Sequence, residues 1–157
     1  MRVALTPAVA ADIKMIADEV LINRLETIPS GERLSLARRA SGRVASALLL
    51  DSEQRVVCAA LDNPRLTEAA IIRTLMQRDA PSSFVEAVCH HATWGLRREV
   101  RVALLRNENT PLARALEYAR SLPASVVCEI LDNSNLSENI KSGLLKVTEE
   151  QSGVNEG

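Results

Sequence analysis

The sequence predicts an all-α fold, a short right-handed α-solenoid of about ten helices, on three observations. The first is a recurring segment. Val56-Val57-Cys58-Ala59-Ala60-Leu61-Asp62-Asn63 returns as Val126-Val127-Cys128-Glu129-Ile130-Leu131-Asp132-Asn133, and each copy leads into a leucine, a hydroxyl residue and a glutamate (Leu66-Thr67-Glu68 and Leu136-Ser137-Glu138). Self-similarity that runs from one helix through a turn into the next is the mark of stacked repeats. The second is a core vocabulary of Leu, Ile, Val and Ala: 46% of the 157 residues are apolar, yet the aromatics are Phe84, Trp94 and Tyr118 alone. Such a composition suits closely spaced helices better than a β-sandwich. The third is apolar spacing of three and four residues between prolines, glycines and asparagines that punctuate the chain.

The elements follow in order. Thr6-Pro7 predicts an N-cap with proline at the first helical position, and Val9, Ile13, Ile16 and Val20 mark a long first helix to about Glu26. Pro29-Ser30-Gly31 ends it; Glu32 to Ala40 and Val44 to Leu50 then read as short helices separated by Ser41-Gly42. Asp51 to Leu61 has the acidic start and Val- and Ala-rich body of a repeat helix, and Asn63-Pro64 forces a turn. A helix from Thr67 to about Arg78 presents Ile72, Leu75 and Met76, and Pro81-Ser82-Ser83 opens one through His91. After Trp94-Gly95, Leu96, Val100, Ala103 and Leu104 form the next stripe; Thr110-Pro111 repeats the cap-plus-proline device before Leu112, Ala115, Leu116 and Ala119. Pro123 restarts the chain and Ser137 caps a last helix ending near Val147. The organisation expected is one domain over 1–148, with cap helices over 1–43 and repeats over 44–148, followed by a flexible tail over 149–157.

Weaker copies of the recurring segment are Val100 to Asn107 and Ala87 to Trp94, the latter with His91 in place of the asparagine. The punctuating positions 63, 91, 107 and 133 are irregularly spaced, so one repeat is read as compressed. Asn at a helix end is explained by its tolerance of the left-handed conformation, from which it reaches free carbonyls. Helices this short are marginal alone and depend on their neighbours.

Charge bounds the partners. The net charge is −1, which argues against general affinity for nucleic acid or anionic membrane. Its distribution is uneven: residues 31–120 carry 14 Arg against 10 Asp/Glu, whereas residues 121–157 carry 2 Lys against 6 Asp/Glu, so a mildly basic body precedes an acidic end. Three cysteines without close pairing read as small buried hydrophobes, Cys58 and Cys128 at matching positions. The chain opens without a basic-then-apolar leader and has no apolar run of about 18 residues, so neither export nor membrane spanning is expected and a cytoplasmic location is the default.

The Asp51-to-Leu61 stretch, with its Val-x-x-Ala-x-Leu body, resembles the second helix of a HEAT repeat, and the Asn63-Pro64 and Thr110-Pro111 turns resemble the leucine-rich repeat variant family; the likeness spans about residues 44–147. The resemblance implies an interaction scaffold. The known leucine-rich repeat variant protein also carries an iron–sulfur cluster held by clustered cysteines, and nothing here matches that cluster, so no cofactor is implied.

Chemistry is sparse. Cys89-His90-His91 is the densest set of metal ligands, but adjacent histidines on a helix point roughly 100° apart and do not easily share one ion. A Cys–His nucleophile lacks a base held across it and an anion-stabilising turn, and neither a phosphate loop nor a nucleophile elbow is present. The expectation is no enzyme, no metal and no cofactor. The candidate binding surface is Trp94 with Arg97, Arg98 and Arg101, within about a third of a helix circumference, joined by Arg38 and Arg39 (with Arg43) on an earlier helix; an acidic peptide suits such a ridge. The ordinary alternative is solvated arginines pairing with Glu99, Glu68 or Glu86. The function expected is therefore non-catalytic protein binding, the partner unnamed, with self-association through end helices that lack polar caps as a further option. Its rival is nucleic-acid binding through the Arg-rich face, for which the HEAT-like alkylpurine DNA glycosylases are the precedent, though one Trp and one Tyr offer little stacking.

Overall fold

The computed structural model describes residues 7–154. Among them the chain forms ten α-helices and no strand: α1 (Pro7–Asn23), α2 (Ser30–Arg39), α3 (Gly42–Leu48), α4 (Gln54–Leu61), α5 (Glu68–Leu75), α6 (Ser82–His90), α7 (Arg98–Leu105), α8 (Leu112–Ser121), α9 (Ala124–Asn133) and α10 (Glu138–Val154). Short 3₁₀ turns lie at Leu25–Thr27 and Trp94–Leu96. The all-α expectation therefore holds; Thr6, expected as the first cap, lies outside the described residues. Pro29, Pro81, Pro111 and Pro123 each immediately precede a helix in extended backbone and supply no side-chain cap, so the proline ring sets the entry by fixing φ. The chain divides into two compact units, one up to Thr67 and one from Glu68.

In the first unit α2 packs on α4 and α3 packs on both, enclosing Ala37, Val44, Ala45, Leu48, Leu49, Val56, Val57 and Ala60. Asn63, 3% exposed, closes this group: its Nδ2 donates to the carbonyls of Ala37 (2.8 Å) and Ala40 (3.1 Å), and its Oδ1 accepts from the Arg65 amide (2.8 Å). Arg33 on α2 forms an ion pair with Asp51 (3.1 Å) just before α4. Gly42 is required by close approach, since a Cβ there would sit 2.5 Å from the Arg65 carbonyl oxygen. Helix α1 rests on α3, with the Ser41 hydroxyl donating to Asp18 (2.6 Å). Its apolar stripe is turned outward: Ile13, Ile16 and Val20, with Met15 beside them, are all about half exposed or more.

The second unit repeats the first unit's device twice. Here α5 packs on α7 and α8 packs on α10. Asn107, just beyond α7, is buried, donates from Nδ2 to the Leu75 carbonyl at the end of α5 (3.0 Å) and accepts from the Asn109 amide (2.9 Å). Gln151 on α10 donates to the Ala119 (3.4 Å) and Arg120 (3.2 Å) carbonyls at the end of α8. Asn63, Asn107 and Gln151 are 44 residues apart at each step (63 to 107, 107 to 151). In each case an amide on or just past the third helix of a triplet satisfies carbonyls that the first helix cannot pair internally. The preceding apolar positions share the frame: Val56, Val100 and Leu144 are buried, as are Ala59, Ala103 and Val147, then Ala60, Leu104 and Thr148.

This corrects four expectations. No non-glycine residue among those described has positive φ, so the asparagines do not end helices through a left-handed conformation; Asn63 and Asn107 reach across to another helix instead, and Asn133 turns back onto the Glu129 carbonyl of its own. The even spacing is not that of the strongest sequence match, which pairs α4, third in its triplet, with α9, second in its own. Thr110 does not cap α8: its hydroxyl donates backwards to the Leu104 carbonyl at the end of α7. Helix α10 also runs beyond Val147 to Val154, held there by Gln151. No helix among the described residues is long and apolar enough to cross a membrane.

Candidate functional site

The arginine ridge does not form as one surface. Gly95 makes the difference: it is buried, and a Cβ would meet the Cys89 carbonyl oxygen at 2.9 Å, so the chain turns tightly against the end of α6 before α7 begins. Arg97 is consequently the residue before α7 and Arg98 its first residue. Arg97 lies with its guanidinium carbon 5.0 Å from the Trp94 ring centre and pairs with Glu68 at 3.3 Å. Arg101 turns inward: its Nε donates to the Gly95 carbonyl (2.9 Å) and its guanidinium stacks 5.1 Å from the Tyr118 ring centre. Two of the three arginines thus hold the turn, through charge-assisted and cation–π contacts. Arg98 is exposed and makes no ion pair, hydrogen bond or ring contact among the described residues. Arg38 and Arg39 are exposed in the last turn of α2, where positive charge complements the negative end of the helix dipole. They belong to the first unit, whereas Trp94, Arg97, Arg98 and Arg101 belong to the second.

The cysteine–histidine cluster resolves into separate tasks. His90 is exposed with Nδ1 2.8 Å from the Glu86 carbonyl. His91 Nδ1 accepts from the backbone amides of Thr93 and Trp94, both at 3.2 Å, doing for its turn what Asn63 and Asn107 oxygens do for theirs. Cys89 is buried, and burial pushes its thiol above the ordinary range; the same desolvation raises the Tyr118 phenol, whose hydroxyl lies 3.5 Å from the Cys89 carbonyl. Cys58 and Cys128, expected as buried hydrophobes, are exposed. Among the described residues no group of three or more His, Cys, Asp or Glu side chains converges as metal ligands would.

A concavity the sequence did not signal lies in the second unit. It measures about 640 Å³ and is lined where α5, α7 and α9 end, by residues including Gln77, Arg78, Arg106, Asn109, Asn133 and Asn135. The Arg78 and Arg106 guanidiniums have no anionic partner among the described residues, although Glu108 lines the same groove. The Asn135 and Gln77 side-chain amides are likewise unengaged, while Asn133 has one donor occupied by the Glu129 carbonyl (3.0 Å). Ser134, also in the lining, keeps its hydroxyl oxygen shielded from solvent without a hydrogen-bond partner. Arg78 and Arg106 stand as single basic residues far apart in the sequence, so a search for clustered charge passes over them. Compared with models of known families, with characterised proteins and with solved structures, the chain matches none.

Proposed function

We propose that the chain is a helical-repeat module, a short α-solenoid, that binds another protein without catalysing a reaction. The observation that carries this reading is the threefold recurrence of one helix triplet closed by a side-chain amide, at Asn63, Asn107 and Gln151. Repetition of a unit whose polar side chains go into holding helices together builds surface rather than a reaction centre, and stacked helix groups offer extended faces to partners. Of the arginines expected to bind, Arg98, Arg38 and Arg39 are exposed and unpaired, and each suits an acidic protein surface, to which it would contribute specificity and association rate more than raw affinity.

The test is cross-linking capture from the cell that makes the protein, with nuclease treatment, comparing the natural chain with Arg98→Glu and with Arg38→Glu/Arg39→Glu. A protein retained by the natural chain, resistant to nuclease and lost in one variant supports the reading and locates its surface. Retention of nucleic acid as the main captured species, lost in steps with rising salt, would replace it with the nucleic-acid-binding alternative.

A further inference from the structure

We infer that the groove where α5, α7 and α9 end is a binding site for an extended, acidic peptide segment of a partner protein; this deepens the scaffold reading and rests on it. The groove joins two kinds of chemistry. Arg78 and Arg106 present guanidiniums without an internal anion, and a guanidinium pairs with a carboxylate in bidentate geometry. Around them stand the side-chain amides of Gln77, Asn133 and Asn135, each able to donate and to accept. That combination matches a peptide backbone, which offers an N–H and a C=O at every residue.

The same inventory selects against a nucleic acid. Two guanidiniums neutralise few phosphates, and no aromatic ring lines the groove for a base to stack on. A carboxylate-bearing peptide needs only one or two charge contacts and obtains its register from the amides. Of the six residues named in the sequence as a binding face, none lines this groove, so it is a surface distinct from the Arg98 and Arg38/Arg39 faces.

Binding is read by fluorescence anisotropy with a labelled dodecapeptide of alternating Glu and Ser, its counterpart with Gln in place of Glu, and a single-stranded oligonucleotide of the same net charge. The proteins are the full chain, Arg78→Glu/Arg106→Glu, Arg98→Glu and Ser134→Ala, each checked for helical content. The expected result is saturable binding of the acidic peptide, weakened about twentyfold or more by the Arg78/Arg106 reversal, about tenfold by Gln for Glu, and less than about twofold by Arg98→Glu. Ser134→Ala, which removes a hydroxyl shielded from solvent at the groove, changes it less than about twofold and serves with Arg98→Glu as a control. Loss of binding in Arg98→Glu with retention in the double reversal overturns the groove and leaves the scaffold reading standing. Equal affinity for the Gln peptide, tighter binding of the oligonucleotide, or no binding of the acidic peptide at millimolar concentration also overturns the groove; the scaffold reading then stands or falls on the capture experiment.

Discussion

Asn107 is the residue on which the reading of the fold can be tested most sharply. Its Nδ2 donates at 3.0 Å to the Leu75 carbonyl, a buried bond, and its Oδ1 accepts at 2.9 Å from the Asn109 amide. Asn107→Ala deletes both partners at once. Each bond contributes about 1 kcal/mol net, and the Leu75 carbonyl, left buried without a donor, adds a desolvation penalty, whereas the amide of exposed Asn109 can turn to water; the total is about 2–3 kcal/mol. Asn107→Gly separates two mechanisms. A left-handed helix end would make glycine neutral or favourable, but an inter-helix staple makes it cost as much as alanine plus up to about 1 kcal/mol of backbone entropy. Asn107→Asp should be worse than alanine, because it exchanges the donor for negative charge beside a helix C-terminus. Asn133→Ala is the control: its one bond is exposed and spans four residues within α9, so about 0.5 kcal/mol or less is expected. Urea unfolding followed by emission of Trp94, the single tryptophan and in the same unit, measures these differences. Equal cost for Asn107→Ala and Asn133→Ala, or a neutral Asn107→Gly, would refute the staple.

Other consequences are as definite. A thiol reagent at neutral pH should modify Cys58 and Cys128 quickly and Cys89 only on unfolding, so Cys89→Ser removes the slow phase and nothing else. Gly42→Ala should destabilise the first unit by about 1–3 kcal/mol, since the new Cβ meets the Arg65 carbonyl oxygen; Gly31→Ala, with open space around it, should be neutral or stabilising by up to about 1 kcal/mol. The folded state holds the Cys89 and Tyr118 protons to higher pH than the unfolded chain does, whose ordinary values are 9.0 and 10.0. Raised acids contribute stability that is complete below those values and lost as pH rises through the folded ones, so stability should be flat through neutrality and decline above about pH 9. Cys89→Ala with Tyr118→Phe should flatten that decline in a pH series of urea midpoints.

Much of the helix layout was legible because its signals are local. Pro29, Pro81, Pro111 and Pro123 mark starts whatever the helix packs against, since the constraint on φ is covalent. What was not legible depends on distant partners. Val56 to Leu61 is an unbroken apolar run, so periodicity could not say that Cys58 is the residue turned to solvent; only the placement of α2 and α3 decides it. Asn63 was readable as punctuation, but its task is set by carbonyls 23 and 26 residues earlier. Arg97, Arg98 and Arg101 looked like one ridge on a continuous helix, and the Gly95 turn sent them three ways. Arg78 and Arg106 share a groove because the ends of α5 and α7 lie side by side, a relation no local window contains.

The amide staples also say where this polypeptide can be divided. Each one is closed by a residue no more than 32 positions downstream of the carbonyl it satisfies, so the contacts that complete a triplet stay within that triplet. Until the third helix has been made, however, the Ala37, Ala40, Leu75 and Arg120 carbonyls lack the side-chain donor they have in the fold. A chain interrupted within α2–α4, α5–α7 or α8–α10 therefore stops with unsatisfied carbonyls, whereas an interruption at Thr67 breaks none of these bonds. On the helical-repeat reading proposed above, the natural increment for truncation and for lengthening by duplication is therefore the triplet, and neither a single helix nor a helix pair serves in its place.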